Sequence, residues 1–219
     1  LLTMAKSFVP YAILSLGVTF AIATGGIDLS LGTVCFGSAV LAGALCKTGV
    51  SVEEGTLWLT IPIILVVGVV FGIINGVLVA KCKLAPFIAT LGTMMVSRGL
   101  TAVVAEATRG TSSAVKYPST GWFQKIFTNL NGFPIGLVWV LVLTILCMIV
   151  MYKTRVGRYI LAIGSNEEAA RLSGINTDKY KIYAYMISSS FAALAALFYV
   201  AANPSLNLAA GNGMELDAV

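Results

Sequence analysis

The chain has 219 residues, 58% of them hydrophobic and 11% charged, with a mean hydropathy of +0.93 and a formal net charge of +5. A soluble domain carries about 25% charged residues, so this composition excludes an ordinary globular protein and points to an all-α, polytopic bundle in a bilayer, where a spanning helix needs ~20 apolar residues. Histidine is absent, which removes the commonest general base and metal ligand; no catalytic residue, metal ligand or cofactor is expected. Cys35, Cys46, Cys82 and Cys147 lie in or beside apolar segments without a Cys-x-x-Cys pair, and read as packing residues.

Taken in order, a first span is expected over 8–24 and a second over 29–46. Between them stands Gly25-Gly26-Ile27-Asp28-Leu29-Ser30, where two glycines permit a sharp turn and Asp28 is placed to cap the incoming helix. Asp28 is the only ionisable side chain between Lys6 and Lys47 apart from Tyr and Cys. An acid at membrane depth is costly and marks function by default, whereas a solvated cap at the surface is structural. The expectation leans to the cap, because a hairpin of two full spans returns Asp28 to an interface. A polar loop over 47–56 carries Glu53 and Glu54. The third span, 57–80, contains Gly68-x-x-x-Gly72-x-x-x-Gly76, a stripe that lets another helix approach closely. Asn75 beside it is positioned to hydrogen-bond across such an interface.

Lys81 and Lys83 mark a tight turn, and Pro86 suits the first turn of a fourth span over 84–105. Arg98 lies within that span, at a cost of ~2.5–3.5 kcal/mol for a central position; it either snorkels to the interface, which nearby Glu106 and Arg109 favour, or faces a polar interior. Residues 107–133 read as an interfacial loop with Trp122 and Phe123. A fifth span is expected over 134–152 and a sixth over 182–202, followed by Asn203-Pro204 and a glycine-rich acidic tail over 211–217.

The connection over 153–181 holds Lys153, Arg155, Arg158, Arg171, Lys179 and Lys181, the densest basic cluster in the chain. By the positive-inside rule it is a cytoplasmic loop, which accounts for the net positive charge without nucleic acid. Alternation places the Gly25–Asp28 turn and Lys81/Lys83 inside, 47–56 and 107–133 outside. Leu1 then falls outside, which calls for an odd number of upstream spans if the N-terminus is cytoplasmic.

Within that connection, residues 164–178 form a polar island. Ser165 followed by Glu168 is a capping-box pattern, Gly174 can close a helix in the left-handed conformation, and Asn176-Thr177-Asp178 is a second helix start. The expected rod of roughly eight residues, about 12 Å, cannot stand alone in water and needs a surface to lie on. Local chemistry alone leaves open an ordinary polar loop.

Three stretches occur in order: Gly25-Gly-Ile-Asp-Leu-Ser-Leu-Gly32; Asn75-Gly-Val-Leu-Val-Ala-Lys81 with Pro86-Phe-Ile-Ala-Thr-Leu-Gly92; and Gly157-Arg-Tyr-Ile-Leu-Ala-Ile-Gly-Ser-Asn-Glu-Glu-Ala-Ala-Arg-Leu-Ser-Gly174. Together they resemble the permease subunit of ribose-type ABC importers, as does Gly211-Asn-Gly-Met-Glu-Leu-Asp-Ala-Val219 in the tail. The family pattern continues past this chain, which is therefore expected to lack spans at both ends. The resemblance implies a multi-pass permease of the bacterial inner membrane, working with ABC ATPase subunits, a second permease copy and an extracytoplasmic sugar-binding protein, and passing a small sugar. It further implies that a short cytoplasmic helix, here Glu167, Glu168, Ala169, Ala170, Arg171, Leu172, Ser173 and Gly174, docks on the ATPase. ATP binding itself is not expected of this chain, which has no Gly-x-x-x-x-Gly-Lys-Ser/Thr loop. Gly25, Gly26, Asp28, Asn75 and Arg98 stand as structural or pathway residues. Related permeases for nucleosides or branched-chain amino acids, an ion-coupled carrier using Asp28, and a membrane scaffold are the alternatives.

Overall fold

A computed structural model describes residues 2–48, 51–109, 114–128 and 133–207; the acidic tail over 211–217 lies outside them. Long apolar runs become helices because only a helix satisfies its own backbone in lipid. They are α1 (Leu2–Ile22), α2 (Leu31–Cys46), α3 (Glu54–Ala80), α4 (Pro86–Arg109), α6 (Ile135–Lys153) and α9 (Thr177–Ala202). Shorter helices are α5 (Trp122–Phe127), α7 (Arg155–Ser165) and α8 (Glu167–Leu172). All-helical spanning architecture is as expected. Among the described residues, four helices, α3, α4, α6 and α9, are long and apolar enough to cross a membrane, while the apolar parts of α1 and α2 are shorter.

Helix α9 is the central post, packing on α1, α2 and α3. The glycine stripe explains the closest of these contacts. A Cβ at Gly72 would lie 2.6 Å from Met186 Cα, and one at Gly76 would lie 2.7 Å from Ile182 Cα, so backbone meets backbone. Helix α2 is the second buried element. Its 16 residues make about 24 Å of helix, short of the ~30 Å hydrocarbon core, and nearly all of them are enclosed by protein. The second apolar segment is thus a core helix wrapped by its neighbours, unlike α6, whose Leu141, Val142, Ile145, Leu146 and Ile149 face outwards.

The ends of the bundle differ. One end carries a four-stranded sheet that hydropathy gave no hint of: β1 (Lys47–Thr48), β2 (Ser51–Val52), β3 (Ala114–Lys116) and β4 (Ser205–Asn207), in that order across the sheet. β1 and β3 run antiparallel to β2 and β4 respectively, whereas β2 and β3 are parallel. Beside β3, Tyr117 donates to the Ala39 carbonyl of α2 at 2.6 Å, and burial keeps its phenol protonated well above the usual tyrosine range. The segment expected as a loop over 107–133 is therefore partly ordered against the core: Phe123 is fully buried and Phe127 packs on Phe198 at 5.3 Å. Of the four cysteines, Cys35, Cys46 and Cys147 are buried as expected, but Cys82 is exposed on the α3–α4 turn. The opposite end gathers the α1–α2 turn, the α3–α4 turn and the α7–α8 segment.

Candidate functional site: the α8 helix and the buried turn beneath it

Helix α8 is shorter and differently started than its sequence suggests. Ser165 ends α7 and spends its hydroxyl on the Leu161 carbonyl at 3.0 Å, so it cannot form the capping box with Glu168. Asn166 is the cap instead, its side-chain oxygen accepting from Ala169 N at 2.9 Å. The helix then runs only six residues. Its exit matches expectation: Gly174 adopts φ +83°, Gly174 N donates to Arg171 O at 3.0 Å, and Ile175 N donates to Ala170 O at 3.1 Å. Those two bonds are the Schellman pattern, which satisfies two end carbonyls. Asn176 starts α9 by accepting from Lys179 N at 3.0 Å.

The island does find a surface, and it is the chain's own. Lys181 of α9 meets Glu167 at 2.7 Å, and Arg171 reaches Glu167 at 3.6 Å and Glu168 at 4.0 Å. Glu168 and Arg171 are thus within reach of each other, though so long an exposed pair contributes little, ~0–1 kcal/mol. The two alanines part company. Ala170 is buried against the bundle, while Ala169 is exposed beside Glu168 and Leu172, the latter 81% exposed. Of the two alanines, only Ala169 is open to a second protein. Between α8 and the α3–α4 turn lies a notch of about 460 Å³ lined in part by Lys83, Pro86, Glu167, Glu168, Arg171 and Lys181.

Helix α7, which sequence reading passed over, supports α8 from behind. Its signal was present as Val156, Ile160 and Ile163 recurring at helical spacing, but the glycines and arginines around them obscured it. Gly157, Ile160 and Ile163 are buried, and Tyr159 packs edge-on to Tyr180 of α9 at 4.8 Å.

Beneath this assembly sits the α1–α2 turn. Asp28 is 0% exposed, so the expected solvated cap is not what forms; α2 itself is too enclosed to return the turn to water. Ser30 donates to Asp28 Oδ1 through both N (3.0 Å) and Oγ (2.6 Å), and Ser188 of α9 donates to Oδ2 at 3.1 Å. Asn75 does bond between elements, but not across the glycine stripe, whose partner is α9: its amide donates to Ser30 Oγ at 2.7 Å, and its oxygen accepts from Thr93 of α4 at 2.6 Å. Gly25 takes φ +79°, and Gly26 is pressed against the Tyr185 hydroxyl and Pro86. One chain of hydrogen bonds therefore joins α9, the turn, α3 and α4. Arg98 lies farther along α4, half-buried with its Nε enclosed by protein. Ser188 and Thr93 are the members of this cluster that sequence reading missed; both are ordinary hydroxyls in apolar helices, and nothing local distinguishes them. No group of three or more metal-ligating side chains occurs among the described residues.

The comparisons agree with the sequence resemblance. The chain is 38% identical over 213 residues to the ribose import permease protein of Haemophilus influenzae, covering 95% of this chain and 62% of that one. The ribose import permease protein of Escherichia coli K12 gives 38% over 213 residues, 95% of this chain and 63% of the relative. The fructose import permease protein of Bifidobacterium longum gives 33% over 218 residues, 94% and 61%. The chain thus spans less than two thirds of the length of these relatives. No solved structure matches it. The family model for the branched-chain amino acid transport system permease component matches residues 1–219, and the chain belongs to that family.

Proposed function

We propose that the chain is the transmembrane permease part of an ABC importer that moves a monosaccharide across the bacterial inner membrane. The observation that carries the solute class is the similarity, over about 95% of the chain, to ribose import permeases. The branched-chain amino acid of the family's description is not favoured by those relatives. Its role is transport without chemistry of its own, with ATP hydrolysis in a partner ATPase and sugar delivered by an external binding protein to a permease pair.

In this reading α8 is the surface on which the ATPase docks. Three features support it: both ends of the helix are fixed by side-chain or glycine caps, its base is tied to α9 by Glu167–Lys181, and its outer face presents Ala169 and Leu172 to a partner. An apolar residue as exposed as Leu172, outside the spanning helices, is what a partner's cleft would cover. The test is uptake by vesicles holding the full-length permease, its ATPase and its binding protein. ATP-dependent accumulation of labelled ribose or fructose is expected, competed by the unlabelled sugar. Accumulation of leucine or a nucleoside in place of any sugar would reassign the substrate, and sugar uptake driven by an ion gradient without ATP would reject the importer class.

A further inference from the structure

The α1–α2 turn is held from two sides by elements far apart in sequence. On one side, α7 lies directly against its backbone: a Cβ at Gly164 would collide with the Ala23 carbonyl oxygen. On the other side, Asp28 holds α9 through Ser188, while Ser30 holds α3 through Asn75, which in turn holds α4 through Thr93. The joint between α7 and α8 is one residue, Asn166, which donates its N–H to Ala162 of α7 and caps α8 with its side chain. There is no slack in that joint. A displacement of α8 is carried into the end of α7 and against Ala23.

We infer that residues 23–30 are the relay by which motion of α8 reaches the spanning helices, with Gly164–Ala23 as the pushing contact and Asp28 as the positioning residue that holds α9. The inference rests on α8 being the ATPase dock. The physical basis is an asymmetry between the two sides. The Gly164 contact is steric and transmits compression only. The Asp28 contacts transmit tension, because none of these buried groups can exchange its partner for water, and breaking one leaves a buried polar group unsatisfied. Turn, α9, α3 and α4 therefore shift together.

The test uses the full-length permease bound to its ATPase, with the native cysteines replaced and nitroxides at Ile88 and Tyr152, both exposed on spanning helices. The probe is ATP with vanadate, and the readout is the change in the distance between the labels. The wild-type complex should show a nucleotide-driven shift. Gly164→Val and Ser188→Ala should keep the ATPase bound and lose that shift, and Ser188→Thr, which keeps the hydroxyl, should restore it. An unchanged shift in Ser188→Ala overturns the relay, and that variant decides alone if Gly164→Val fails to accumulate. Loss of the ATPase from Gly164→Val also overturns it, by making Gly164 part of the dock. The docking reading fails differently, through an ATPase that stays bound when the exposed face of α8 is blocked.

Discussion

Asp28 is a carboxylate in a place where water cannot reach it, and its stability depends on three donors fixed by the surrounding fold. Asn presents the same oxygen to Ser30, and its amide can donate to a rotated Ser188 hydroxyl. Asp28→Asn is therefore expected to reach near wild-type abundance in the membrane. Asp28→Leu strands buried donors at roughly 1–3 kcal/mol each and should lower both abundance and the melting temperature in detergent. Equal abundance of the two variants would show that the hydrogen bonds contribute nothing to folding. Sequence reading identified Asp28 and Asn75 as exceptional because each is a polar residue in an apolar run. It placed Asp28 at a solvated surface because a hairpin of equal spans would put it there, and the near-complete enclosure of α2 is a tertiary fact. Ser188 lies 160 residues away in sequence, and no local pattern joins the two.

Among the elements, those legible in sequence are the ones set by local chemistry. Gly174 and Asn176 end one helix and begin the next as expected, since caps involve only neighbouring residues. The glycine stripe of α3 announced a close helix contact and left its partner unnamed; the partner is α9. A Leu at Gly72 would have to enter the Met186 and Tyr185 backbone, which cannot retreat like a side chain. Overpacking of this kind costs about 1–3 kcal/mol or more, so Gly72→Leu should lower the melting temperature well below wild type, whereas Gly92→Leu, with open space around it, should not. Matching melting temperatures would contradict the α3–α9 contact. The Ser165–Glu168 capping box misled because two acceptable caps, Ser165 and Asn166, stand side by side. Extension of α7 by one residue decides between them. The sheet was illegible because its strands are two or three residues long and pair across the whole chain.

For the whole molecule, the sheet and the α7–α8 segment lie at opposite ends of the bundle, consistent with the alternation drawn from charge. The α8 end carries the basic cluster and is expected in the cytoplasm. In a cysteine-free full-length protein, Leu172→Cys should resist an impermeant maleimide in intact cells and label after permeabilisation, while Glu53→Cys should label in both. Thr177 is unsuited to this purpose, being buried at the start of α9. Labelling of Leu172→Cys from outside would invert the molecule and remove α8 from any cytoplasmic ATPase.

The docking of α8 is the claim on which the rest depends, and the two alanines allow it to be tested against its own control. Ala169 faces outwards and Ala170 faces the bundle, so Trp at the first obstructs a partner and Trp at the second disrupts α8 itself. The measurement is co-purification of the ATPase with matched amounts of full-length Ala169→Trp and wild-type permease. Ala169→Trp is expected to insert and melt like wild type while losing the ATPase and all ATP-driven uptake. Retention of the ATPase at wild-type levels by Ala169→Trp, with uptake intact, would mean that α8 is only a capped turn between α7 and α9.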